Sequence, residues 1–105
     1  MVDIEKLQAM LAAGQDNALL HFTLGNALHR DRRFLEAIPH LARAVALDPG
    51  YSAAWKQYGR CLMDSGDVVA AAQVLDRGIE VARERGDMQA LREMTVFRRR
   101  LSRDG

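Results

Sequence analysis

Shifted so that Gly25 lands on Gly59, the sequence falls on itself. The same shift puts Leu28 on Leu62, Ala37 on Ala71, Leu41 on Leu75 and Arg43 on Arg77. The pairs Leu24/Tyr58, Ile38/Ala72 and Val45/Ile79 keep the apolar pattern without identity. The residue types matter more than their number. Gly and Ala coincide where two helices would cross closely, and Leu coincides at core spacing. A period of this length describes a pair of helices that cannot bury its apolar face alone and must stack on its neighbours.

The helical period runs through the whole chain, and no segment alternates with period two over a useful length. The spacing predicts six helices, over roughly 3–13, 17–30, 34–47, 52–64, 68–85 and 88–102. Asp3 caps the first and Gly14 closes it; Asp67 caps the fifth, and Gly86-Asp87 separates it from the sixth. Asp48-Pro49-Gly50 ends the third helix, because the residue before a proline is pushed out of the α region. Pro39 falls about one turn inside the third helix, where it removes one backbone bond and suits a solvent-facing site. The prediction is an all-α protein, a single domain over 1–105.

The boundary stretch ALDPGYSAAWKQYG, residues 46–59, holds the only Trp. Trp55, then Tyr58-Gly59, then Leu62 come close to the pattern W-x2-L-G-x2-Y, and Ala71 and Leu75 follow at the distance of A-x3-F. The preceding unit supplies Leu24-Gly25-Asn26-Ala27-Leu28, Glu36-Ala37-Ile38, Leu41, Ala44 and Leu47-Asp48-Pro49, with His21 in the Trp position. In these residues the chain resembles the tetratricopeptide repeat (TPR) family. The resemblance implies a right-handed α-solenoid of helical hairpins, with repeats at 18–51 and 52–85. Residues 1–17 would be a preceding half-repeat, 86–102 a terminal capping helix and 103–105 a tail. The second repeat has Arg83 where the first has Pro49, so its second helix can run on to about Arg85. Kept in the repeat frame, the last helix puts Glu93 in the Gly position and Arg92 in the preceding apolar one, a departure that fits a cap with a polar outer face.

The resemblance also implies a noncatalytic protein-interaction module that binds a peptide along the first helix of each hairpin. Spacing places Phe22, Asn26 and His29 on that face, then Lys56, Arg60 and Met63, and in the same frame Ala90, Met94 and Phe97. Asn26 with basic neighbours resembles part of the carboxylate clamp of co-chaperone TPR domains, although Phe22 stands where a Lys is expected. Asn26, Lys56 and Arg60 would grip a carboxylate by charge-assisted bonds. The partner is then a protein or peptide segment of acidic character whose identity the sequence withholds.

Two rival readings attach to the last helix. Leu91, Met94, Phe97 and Leu101 form an apolar stripe that could serve self-association as a homodimer. Arg98-Arg99-Arg100 and Arg103 invite nucleic acid, but there is no aromatic interleaving, and cations near a helix C-terminus complement its dipole. The net charge of +1 adds no whole-protein field for nucleic acid, although residues 1–17 carry −2 (Lys6 against Asp3, Glu5 and Asp16). Residues 87–105 carry +2, five Arg against Asp87, Glu93 and Asp104.

His21, His29 and His40 have no metal-ligand spacing, and Cys61 stands alone on a core stripe, an inert small apolar residue rather than a nucleophile. No phosphate loop, paired carboxylate site or triad is present in the sequence, so no cofactor, metal or enzymatic activity is expected. The acidic N-terminal stretch without an apolar core, the lone cysteine and the lack of any apolar run near ~20 residues suggest a cytoplasmic protein with no membrane segment.

Overall fold

The computed structural model describes residues 3–104; the beginning and end of the outermost predicted segments, at 1–2 and 105, lie outside the described residues. Six α-helices and no strand occur among those residues: α1 (Ile4–Ala12), α2 (Ala18–Arg30), α3 (Phe34–Leu47), α4 (Ser52–Ser65), α5 (Val68–Arg85) and α6 (Met88–Asp104). α2 packs on α3 and α4 on α5 as antiparallel hairpins, α1 covers the open side of α2, and α6 covers α5 and α4. α2 touches α4, and α4 touches α6, so these three line one side of the stack.

Local chemistry sets the ends. Asp3, Asn17 and Asp67 each accept from a backbone N–H one turn on, in Lys6, Leu20 and Ala70. Asp87 does the same for Ala90 in α6. Four helices end in one closure, in which two successive N–H groups reach back to carbonyls of the last turn. The pairs are Gly14/Gln15, Arg32/Arg33, Gly66/Asp67 and Gly86/Asp87. Three of the four have Gly at positive φ, and the fourth has Arg32 at φ 59°. Arg32 and Arg33 stand at the repeat positions of Gly66 and Asp67, so the first repeat carries Arg in both places where the second has the turn residue and the cap. Arg33 makes no side-chain cap for α3 and pairs instead with Asp31 and Glu36.

Each hairpin closes on a glycine. A Cβ on Gly25 would lie 2.6 Å from Leu41 Cγ and Cδ2, and one on Gly59 would lie 2.7 Å from Leu75 Cγ. Leu41 and Leu75 are fully buried, as are Leu24, Leu28, Ala37 and Ala71. Gly78 on α5 plays this part between hairpins, since its Cβ would meet Met94 Sδ at 2.6 Å and Trp55 Cβ at 2.9 Å. Trp55 fills the seam below this contact, its ring 6.4 Å from that of Tyr58 and its Nε1–H donating to the Pro49 carbonyl at 2.8 Å. Pro39 is exposed, as a missing helix N–H requires.

The last helix departs from the repeat frame. α5 has 18 residues where α3 has 14, because no proline stops it and Gly86 does so later. The interval that carries Gly25 onto Gly59 also carries Ala18, the start of α2, onto Ser52, the start of α4. Applied once more it reaches Gly86, yet α6 begins only at Met88. Two extra residues turn a helix by about 200°. Ala90 and Met94 therefore take core positions equivalent to Ala54 and Tyr58, at 4% and 0% exposure. Thr95, rather than Glu93, stands where Gly25 and Gly59 stand. α6 also continues to Asp104, past the expected 102.

Two substitutions probe this frame. Gly59→Ala would gain about 1 kcal/mol of helix propensity but overpack Leu75 at a cost of about 2 kcal/mol, for a net loss of about 1 kcal/mol. Arg32→Gly relieves about 1 kcal/mol of left-handed strain and gives up about 0.5 kcal/mol from the guanidinium over Phe34, for a net gain of about 0.5 kcal/mol. Urea unfolding followed by circular dichroism should move the two midpoints in opposite directions.

Candidate functional site

The side formed by α2, α4 and α6 carries most of the residues that the spacing placed there, and cross-helix bonds tie several together. Gln57 Nε2 donates to Asn26 Oδ1 at 2.8 Å. Lys56 Nζ faces both carboxylate oxygens of Glu93 at 3.4 Å. His29 Nε2 meets Asp64 Oδ2 at 2.6 Å, and the His29 ring lies 5.3 Å from that of Phe34. Arg60 is exposed and, among the described residues, has no ion-pair partner. Phe22 and Met63 are half-buried: Phe22 sits 4.9 Å from the Tyr51 ring and packs toward Ala44, Val45 and Ala54, and Met63 packs against the Leu62–Leu75 core. Sequence reasoning missed Gln57, Asp64 and Glu93. The first two sit one residue from the named groove positions, where helical spacing resolves a face only to within such a step.

Past His29 this face opens into a cavity of about 530 Å³ between the end of α2, the start of α3 and the outer half of α4. Arg30, Arg32 and Arg60 border it, with Phe34 and Gln57 on its walls. Arg32 holds its guanidinium carbon 5.5 Å from the centre of the Phe34 ring. Asp64 is the one carboxylate lining it.

Much of the α6 stripe faces inward. Met94 is fully buried and Leu101 is 8% exposed, while Leu91 and Phe97 are half-buried against the same core. The two-residue phase shift removes Ala90 and Met94 from the groove, and the chain's own packing takes up Met94 and Leu101 as an association surface. The arginine run is also divided. Arg98 donates to Asp76 at 2.9 Å and Arg100 lies over Phe97 at 5.9 Å, while Arg98, Arg99 and Arg103 border one surface pocket.

His21, in the Trp position, is buried in a polar cluster. Its Nε2 meets Asp16 at 2.6 Å, its Nδ1 meets Nδ1 of His40 at 3.1 Å, and Arg43 donates to Asp16 at 2.7 Å. The bonds from Arg43 and then His21 hold the Asp16 carboxyl at about 2. Burial, then the neighbouring His21, pushes His40 below its ordinary value. Burial and the Asp64 charge push the Cys61 thiol up to about 11, far from a nucleophile's range. No group of three or more His, Cys, Asp or Glu among the described residues could hold a metal, nor is any described helix long and apolar enough to cross a membrane.

A family model described as tetratricopeptide repeat matches residues 28–94. TPR repeat-containing protein PA0015 of Pseudomonas aeruginosa is 46% identical over 100 residues, 95% of each chain. The chain belongs to the tetratricopeptide repeat family. Among solved TPR-like structures, protein BPP2914 from Bordetella parapertussis is 45% identical, with a TM-score of 0.84 over 99% of this chain and 90% of that one. The second TPR domain of human RPAP3, solved in complex with the HSP70 peptide SGPTIEEVD, is 28% identical, with a TM-score of 0.74 over 88% of this chain and 75% of that one.

The lowered pKa of His40 is expected to make this TPR domain sensitive to acid. Folded His40 takes up a proton less readily than the unfolded chain does, so stability is full above the ordinary value of 6.5 and falls as the pH drops from there through the lower folded value. Asp16 adds a second loss as the pH falls from 3.8 toward about 2. Urea midpoints at pH 7.5, 6.5 and 5.5 should decline for the wild type and decline less for His40→Gln; equal declines would clear His40 of the effect.

Proposed function

We propose that this TPR domain is a noncatalytic adaptor that binds an extended or helical peptide segment of acidic character along α2 and α4. The observation that carries this reading is Arg60, an exposed cation in mid-groove that no carboxylate of the described chain neutralises. Asn26, His29 and Lys56 flank it, with Phe22 and Met63 as partly covered apolar walls. RPAP3 is solved with a peptide rich in acidic residues, which supports the same use here. The resemblance to a carboxylate clamp stays partial, because Phe22 replaces one cation and Glu93 engages Lys56. Arg60 is thus the stronger anchor, and Lys56 contributes once an incoming carboxylate competes with Glu93. A cytoplasmic setting fits a chain whose single cysteine is a buried thiol.

Peptides selected from a random library on the whole chain provide the test. Their affinity, read by fluorescence anisotropy, should fall at least about tenfold for the Lys56→Glu, Arg60→Glu double variant, the loss of one charge-assisted contact or more. Helical circular dichroism should be unchanged, since both side chains lie outside the core. Selected peptides that bind the double variant with wild-type affinity, or shift amides on α3 and α5 instead, would sink the reading.

A further inference from the structure

The corner where α2 turns into α3 breaks two local rules together. Position 32 needs a left-handed residue, which Gly66 supplies one repeat later, yet it holds Arg at φ 59°. Position 33 caps a helix, which Asp67 does one repeat later, yet it too holds Arg and leaves α3 without a side-chain cap. Departures from local preference that persist in a packed fold concentrate at functional sites. What the corner gains is positive charge around the cavity at the end of the groove.

Three guanidiniums border that cavity, those of Arg30, Arg32 and Arg60. None has an ion-pair partner among the described residues; Arg83 and Arg85 on α5 also lack one but do not border the cavity, while Arg33, Arg43 and Arg77 are each paired with an acid. Arg32 is held by its stack on Phe34, so less of its freedom is lost when it binds. The single acid in the wall, Asp64, is engaged by His29. Gln57 adds an amide. Three unpaired guanidiniums against one occupied carboxylate suit a doubly charged tetrahedral oxyanion better than a single carboxylate, because each guanidinium presents a planar donor fork to phosphate oxygens.

We propose that Arg30, Arg32 and Arg60 receive the phosphoryl group of a phosphorylated serine or threonine in the segment bound along the groove. The site rests on the groove reading above and extends it by one pocket and one chemical class. Arg60 belongs to both, whereas Arg30 and Arg32 lie outside the positions that define the groove. The cavity is roomy enough for a phosphorylated side chain to enter from a peptide lying on α2 and α4.

The test is a titration of the 15N-labelled full chain with N-acetyl-O-phosphoserine amide, alongside N-acetylglutamate amide and inorganic phosphate. The phosphoserine probe should shift amides at 29–34 and 57–64 saturably, and bind at least about tenfold more tightly than the glutamate probe. Inorganic phosphate should bind the same residues more weakly than the ester; equal or tighter binding would mean a free-phosphate site and overturn the phosphopeptide assignment. Arg32→Gly keeps the turn and should weaken the ester at least about tenfold without loss of thermal stability, and Arg30→Gln should weaken it as well. Undiminished ester binding in Arg32→Gly, equal affinity for glutamate, or shifts centred on Arg98–Arg103 would each overturn the proposal. Library-selected acidic peptides that still bind while the ester does not would retire the pocket and leave the groove standing.

Discussion

The structure depends on a backbone-to-side-chain contact made three times. Gly25 admits Leu41, Gly59 admits Leu75, and Gly78 admits Met94, in each case a glycine against a fully buried side chain of the next helix. The first two draw the helices of a hairpin together, and the third draws the next hairpin's helix onto the last. Missing Cβ atoms let helix axes approach until large aliphatic side chains fill the gap, which is how a chain poor in aromatics packs a close core. Trp55 sits in the seam that Gly78 opens, and its ring N–H is satisfied by the carbonyl of Pro49, the residue that ended the previous hairpin. Repeat boundary and repeat anchor are thus one bonded unit, which explains why they lie so near each other in the chain.

The fold was largely readable because the signals that write it are local or periodic. The caps at Asp3 and Asp67, the left-handed Gly14 and Gly86, and the Gly and Leu coincidences all sit where the spacing put them. The phase of α6 was not readable from the period. Arg83 in place of Pro49 and the Gly86-Asp87 stop placed the start of α6 at 88, yet the faces of α6 were counted in the unshifted frame, and a slip of two residues exchanges the inner and outer faces of a helix. The apolar stripe Leu91, Met94, Phe97 and Leu101 looked the same in sequence whether it faced solvent or core. Burial depends on the partner helix, and Gly78 on α5 decides it.

The groove was readable as a face but not as an electrostatic object. Lys56 and Arg60 lie one turn apart on α4 and read as equal cations, yet Glu93 holds one and none of the described carboxylates holds the other. That pairing joins α4 to α6 and exists only because α6 is rotated by its shift from the frame, so no inspection of α4 could reveal it. An incoming anion meets unequal cations. Displacing Glu93 from Lys56 exchanges one partly exposed ion pair for another, which contributes little net affinity. Engaging Arg60 adds a pair where there was none.

The same contrast, between charges spent on the fold and charges left over, runs through the α2–α3 corner. Arg33 is consumed by Asp31 and Glu36, and its work is to hold the turn without a cap. Arg32 holds nothing: its backbone is in a conformation that glycine adopts more easily, and its side chain lies on Phe34 at the mouth of a cavity. The next repeat builds the same closure from Gly66 and Asp67, with the same two backbone bonds, so the geometry does not call for arginine. A residue that the turn does not require, and that meets the core only through the Phe34 ring, is explained most simply by what its guanidinium meets from outside.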